Sequence, residues 1–172
     1  MRNSDVIVIN GRNSNQINDT EINQINGTQD DDNITQGTEN RDHIYALGGA
    51  DTIVGSVGGD TIDVGYDDDP DYVKYDNFSQ RTDQIINFDP NDEDSIYVKS
   101  DLFSDLVDNE GLNSDANFED RLQIYQLGSD AYIRVDPDGL QGNTPFRTLA
   151  TLKNVDTNDL TIDIVDGDFI IG

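Results

Sequence analysis

Cysteine and tryptophan are absent from this 172-residue chain, and there is a single histidine. Without cysteine there are no disulfides and no thiolate metal sites, and the lone His43 leaves no imidazole cluster for transition-metal or acid-base chemistry. Basic residues are scarce: 10 Lys and Arg stand against 36 Asp and Glu, for a formal net charge of −26. That sign excludes nucleic acid as a partner, since such binding needs Lys and Arg to meet phosphates. No apolar run approaches the roughly 18 residues of a membrane span, and Met1-Arg2-Asn3-Ser4-Asp5 lacks the apolar segment of a secretory signal peptide. The chain is therefore read as cytoplasmic, as exported by a route other than Sec, or as a fragment of something longer. HExxH, nucleophile-elbow and phosphate-loop motifs are missing too, so no enzyme is expected. At 34% hydrophobic residues, the core will be modest.

Aspartate is what the chain has in excess, supplying 31 of the 36 acids. Solubility alone would not exclude glutamate. Asp is the turn former and the short-armed oxygen ligand.

A register Asp/Asn-x-Ile/Val recurs ten times, from Asp5-Val6-Ile7 and Asn15-Gln16-Ile17 to Asp94-Ser95-Ile96. Its apolar positions (Ile7, Ile17, Ile25, Ile34, Ile44, Ile53, Ile62, Val73, Ile85 and Ile96) are separated by 8 to 12 residues around a period of nine. A helix repeats its apolar face every three or four residues, whereas one inward side chain per nine residues suits a short strand and a tight turn. Turn chemistry agrees. Gly27, Gly37, Ala46 and Gly55 stand five residues before their repeat Asp, and Asp30, Asn40, Gly49 and Gly58 two before it. Gly, Asn and Asp visit positive φ most readily, so this second position is expected to be left-handed in all four turns.

If consecutive strands alternate between two sheets of a flattened coil, Ile7, Ile25, Ile44, Ile62 and Ile85 line one wall and Ile17, Ile34, Ile53, Val73 and Ile96 the other. Carboxylates one lap apart then become neighbours: Asp32 with Asp51, Asp42 with Asp60, Asp51 with Asp71, and Asp60 with Asp83. Stacked like charges repel, and a hard divalent cation between them reverses that sign. Calcium suits carbonyl-rich turns with carboxylates, because it accepts six to eight oxygens in loose geometry, whereas magnesium demands an octahedron.

Gly37-Thr38-Glu39-Asn40-Arg41-Asp42-His43-Ile44-Tyr45 and Gly55-Ser56-Val57-Gly58-Gly59-Asp60-Thr61-Ile62-Asp63 resemble the calcium-binding nonapeptide of the repeats-in-toxin (hemolysin-type) family, Gly-Gly-x-Gly-x-Asp-x-apolar-x. The double glycine is usually incomplete here, and Asn15 and Asn23 replace Asp in the early laps, which then read as a structural cap. The resemblance implies an all-β fold: a parallel β-roll over 1–97, with its best copies in 27–63, and a C-terminal antiparallel β cap over 98–172. It implies calcium held by Asp32, Asp42, Asp51, Asp60, Asp71 and Asp83, with turn backbone from Gly27, Gly37, Gly49 and Gly58. The C-terminal region resembles the target region of type I secretion substrates, which implies a type I exporter as partner and a secreted, extracellular monomer.

Beyond Asp94 the register stops. Residues 101–121 are acidic around Leu102, Phe103, Leu106 and Val107, which fits a short helix or a loop. Alternation returns at Leu122–Tyr125, Tyr132–Val135, Thr148–Leu152 and Leu160–Ile164, read as hairpins turning at Gly128-Ser129-Asp130, Asp136-Pro137-Asp138-Gly139 and Asp166-Gly167-Asp168. The run Asp67-Asp68-Asp69-Pro70-Asp71 reads as an exposed loop, with Asp71 alone in register. Tyr45, Tyr66, Tyr72 and Tyr75 serve strand propensity or form a sugar-stacking face. The second of these keeps open an alternative function, a calcium-dependent polysaccharide-binding module like those attached to alginate-modifying enzymes.

Overall fold

The computed structural model describes residues 22–35, 37–103, 107–108, 111–112, 121–138 and 145–172. The copies at Asp5 and Asn15, with Ile7 and Ile17, and Leu106 lie outside the described residues. Eight short strands follow the nine-residue register: β1 (Asn23–Asn26), β2 (Asn33–Ile34), β3 (Asp42–Tyr45), β4 (Thr52–Ile53), β5 (Thr61–Asp63), β6 (Tyr72–Tyr75), β7 (Asp83–Ile86) and β8 (Ser95–Val98). Odd strands stack in parallel in one sheet and even strands in the other, making a β-solenoid of four laps. The register is the one the apolar period demands: Ile25, Ile44, Ile62 and Ile85 align on one wall, and Ile34, Ile53, Val73 and Ile96 on the other. All eight are buried, each contributing about 1.5–3 kcal/mol.

Where the register stops, a one-turn 3-10 helix (Ser100–Leu102) buries Leu102 and Phe103, whereas Val107, grouped with them by the sequence, lies in a strand. A small ladder, β9 (Val107–Asp108) and β10 (Gly111–Leu112), follows. The remaining strands are β11 (Leu122–Leu127), β12 (Asp130–Val135), β13 (Arg147–Leu152), β14 (Ile162–Val165) and β15 (Asp168–Ile171). They pair antiparallel as β11-β12-β13 and β14-β15, with turns at Gly128-Ser129 and Asp166-Gly167. They extend the solenoid's own sheets. β13 lies parallel to β7, setting Leu152 beside Ile85, and β15 lies antiparallel to β8, setting Ile171 beside Ile96. Leu149, Leu152, Ile133, Val135, Phe169 and Ile171 thus close the last lap with apolar side chains.

The turns stack along two edges. The first carries those entering β2, β4, β6 and β8, ending at Asp32, Asp51, Asp71 and Asp94; the second carries those entering β3, β5 and β7, ending at Asp42, Asp60 and Asp83. Laps approach so closely that a Cβ on Gly37 would stand 1.8 Å from the Gly55 carbonyl oxygen, and one on Gly27 2.3 Å from that of Ala46. Glycine is required there by contact between laps.

Candidate metal centre

Every repeat Asp from 32 to 94 points inward and is buried. The four carboxylate pairs read from the spacing are neighbours, joined by a backbone hydrogen bond. Asp32 N–H donates to Asp51 Oδ1 (2.7 Å), Asp51 N–H to Asp71 Oδ1 (2.9 Å), Asp42 N–H to Asp60 Oδ1 (2.9 Å) and Asp60 N–H to Asp83 Oδ1 (2.9 Å). A fifth pair, Asp71 N–H to Asp94 Oδ1 (2.9 Å), extends the first edge by one residue that the pairing scheme omitted. On the second edge the column starts at the amide Asn23, beside Asp42, and ends at Ala150, beside Asp83. One carboxylate oxygen per lap is therefore tied by the backbone, and the second oxygen decides what else the stack needs.

For six of the seven residues that second oxygen has one of two fates. Asp32 Oδ2 accepts from Thr28 N–H, and Asp42 Oδ2 from Thr38 N–H, with the Thr38 hydroxyl adding a further bond. Asp83 Oδ2 accepts from the Tyr75 hydroxyl (2.9 Å), and Asp94 Oδ2 from Asp89 N–H (2.9 Å). Asp51 Oδ2 and Asp60 Oδ2, in contrast, are buried with no hydrogen-bond partner, as is Asp67 Oδ2. Two other buried polar atoms among the described residues share that state, Asn23 Nδ2 and His43 Nε2. An uncompensated buried carboxylate oxygen is costly, and the cost is removed by a donor, a proton or a cation.

The turns explain the split, and they correct one expectation. Only Gly49 (φ 93°) and Gly58 (φ 149°) of the four second-from-Asp positions have positive φ; Asp30 and Asn40 do not. In their turns a Thr follows the opening glycine, and its hydroxyl accepts from Asp30 N–H or Asn40 N–H while its own N–H caps the carboxylate. In the other two turns that position is Leu47 (φ 85°) or Ser56 (φ 76°). There the left-handed backbone makes no N–H contact to the carboxylate. Gly55 leaves room for this: its Cβ would lie 2.7 Å from Asp60 Oδ2.

Electrostatics follow this division only in part, since Asp71, whose Oδ2 is not among the unpartnered oxygens, is raised furthest. Burial pushes the Asp51 carboxyl up to about 7; the Asp32 N–H pulls it down, and the charges of Asp32, Asp67 and Asp31 push it up. Burial also raises Asp60 to about 7 and Asp71 to about 8, in each case against one backbone hydrogen bond and with neighbouring carboxylates adding to the rise. Asp83 rises only to about 6, because two hydrogen bonds hold its charged form.

The geometry can hold a cation at Asp51 and at Asp60. The group must draw most ligands from carbonyl oxygens, since among the described residues no three carboxylate or imidazole groups converge by themselves. Two negatively charged oxygens without donors, in turns already opened by glycine, fit a hard divalent ion. Asp32, Asp42 and Asp83, named by the resemblance, are satisfied by the chain's own donors. Gly49 and Gly58 sit in the two open turns, whereas Gly27 and Gly37 belong to the closed ones.

Tyr75 is fully buried, so it cannot stand on the sugar-stacking face that the sequence left open for it. Its hydroxyl supplies Asp83 with what an ion would supply. Tyr75→Phe should leave Asp83 Oδ2 bare, destabilising the metal-free protein by about 1–3 kcal/mol in an osmolyte-refolding titration, with much of the loss recovered in saturating calcium. An equal loss with and without calcium would show that the phenol only packs.

The four tyrosines do not share a face. Tyr75 is buried, Tyr66 is 93% exposed in a turn, and Tyr45 and Tyr72 lie on different sheets, Tyr45 stacked on His43. Of the Asp67–Asp71 run, Asp68 and Asp69 are exposed as expected, but Asp67 is half-buried with Oδ2 turned inward. Only the two-residue lengthening of that turn marked it in the sequence.

No family model matches the chain, and no curated protein matches it. Among solved structures it is similar to the solution structure of the AlgE6R3 subunit from the Azotobacter vinelandii mannuronan C5-epimerase, at 21% identity over 73% of this chain and 72% of that one, with a TM-score of 0.25. That likeness is too loose to add to the geometry above.

Proposed function

We propose that this chain is a calcium-binding β-roll module, a binding and folding unit with no catalytic role, whose laps around Asp51 and Asp60 wind only when an ion occupies each open turn. The observation that carries the reading is the pair of buried carboxylate oxygens, Asp51 Oδ2 and Asp60 Oδ2, that the protein leaves without a donor. Calcium supplies positive charge with flexible coordination; Asp51 and Asp60 hold it, and carbonyls of the turns they close complete its shell. Winding and binding are then one equilibrium, so the stability of these laps rises with calcium concentration. At a net charge of −26, self-repulsion opposes compaction until cations arrive.

With few carboxylates per site, affinity belongs to the weak extracellular class, on the order of 10⁻⁴–10⁻³ M. In this reading the chain stays unwound where calcium is low, leaves through a type I exporter, and winds outside the cell as a monomer. Circular dichroism tests it: β-signal should rise cooperatively with calcium, fall in EDTA, and fail to return at equal magnesium. A full signal in EDTA at pH 8 would reject calcium-driven winding.

A further inference from the structure

The lengthened turn between β5 and β6, Val64 to Asp71, departs from the nine-residue pattern and sends a carboxylate back across the preceding lap. Asp67 Oδ1 accepts from Asp69 N–H (2.9 Å), which fixes the side chain, while Oδ2 has neither solvent nor a partner. That oxygen lies 3.3 Å from the Cβ position of Gly48, in the turn before Asp51. The Gln29 amide oxygen, from the lap before, approaches the same point to 3.3 Å. On the other side, Asp67 Oδ2 lies 3.0 Å from the Cβ position of Gly65, and the Leu47 carbonyl oxygen 2.7 Å from it. Oxygens from three successive laps therefore gather around two glycines, in space that any side chain there would fill. All of them are acceptors. On the same edge stands Asp51, wholly buried, with its own Oδ2 unpartnered, and the Asp67 charge acts on Asp51.

We infer that Asp67 is a second carboxylate ligand of the cation at Asp51, so that the inserted turn makes the first-edge site the tighter of the two. This rests on the calcium reading above. The Asp60 site has one unpartnered carboxylate oxygen and no counterpart to Asp67, since the turn leading to Asp83 is closed internally by Gln80, whose side-chain oxygen accepts from Asp76 N–H and Asn77 N–H. Ligand charge count sets calcium affinity, so one site with two carboxylates and one with a single carboxylate should separate into two classes.

Calcium titration of the full chain against a chromophoric chelator tests this. The wild-type protein should show two classes, and Asp67→Asn should weaken the tighter one by roughly tenfold or more while leaving the weaker in place. Gly48→Ala, which keeps every charge but sets a methyl between Asp67 and Gln29, should weaken the same class; Asp68→Asn, on an exposed neighbour, should change neither. Wild-type affinities in both Asp67→Asn and Gly48→Ala would overturn the assignment while leaving calcium binding intact, whereas a wild-type chain that takes up no calcium would remove the underlying reading. If Asp67→Asn does not fold at saturating calcium, Gly48→Ala decides alone.

Discussion

Asp51→Asn is expected to make the metal-free protein more stable and the calcium-saturated protein less stable. The asparagine oxygen still accepts from Asp32 N–H, so the bond between laps survives, while the buried charge disappears. Without metal that charge is a cost, because burial and three neighbouring carboxylates disfavour it. With calcium it is the attraction that holds the ion. The calcium midpoint should rise by roughly tenfold or more. Asp51→Ala removes the acceptor too, leaving Asp32 N–H unsatisfied, and should lose about 1–3 kcal/mol more in both conditions. Asp130→Ala is the control. Asp130 binds Lys153 and Asn154 N–H and belongs to none of the stacked turns, so its loss should weaken the protein equally with and without calcium. Urea titrations in calcium, and refolding by a stabilising osmolyte in chelator where the metal-free chain is unwound, give all of these numbers. An Asp51→Asn variant less stable than wild type in chelator would mean that the carboxylate is not strained there.

Acid should substitute for calcium. Asp51 and Asp60 are pushed up to about 7 and Asp71 to about 8 in the wound form, from 3.8 in an unwound chain. The wound form therefore binds more protons over the interval between those values. Its stability is highest below pH 4, declines as pH rises through the window from about 4 to 8, and stays low above it. In chelator, lowering the pH from 8.5 to 5 should restore much of the β-signal that calcium restores at pH 8. With saturating calcium the ligands are held ionised by the metal, so the same descent should bring no gain, and the two conditions should converge. A chelated chain equally unwound at pH 8 and pH 5 would show that these buried carboxylates do not oppose winding.

The nine-residue spacing of single apolar residues made the two walls legible, as well as the partner of each Asp one lap away, because a solenoid converts sequence period directly into register. Which of the stacked carboxylates lacks a donor was harder to read. That depends on whether a turn carries Thr28 or Thr38, whose N–H caps the carboxylate, or Leu47 or Ser56 in a left-handed conformation, a difference of backbone dihedral that residue type only hints at. The link between Tyr75 and Asp83 joins residues eight apart that spacing treats as belonging to different laps. Asp67 was hidden in a run of exposed acids, where only the path of the longer turn separates it from Asp68 and Asp69. The C-terminal hairpins were visible as alternation, but the docking of β13 parallel to β7 is a long-range choice. It is made by where Leu149, Ala150 and Leu152 find a lap left uncovered.

Residue-resolved amide exchange at pH 8 addresses the cation requirement most directly. The backbone N–H groups of Asp32, Asp42, Asp51 and Asp60 are four of the five donors that tie successive laps through carboxylates. Calcium-driven winding predicts that all four are protected in calcium and exchange freely in EDTA. Equal protection of those four amides in both buffers would contradict it.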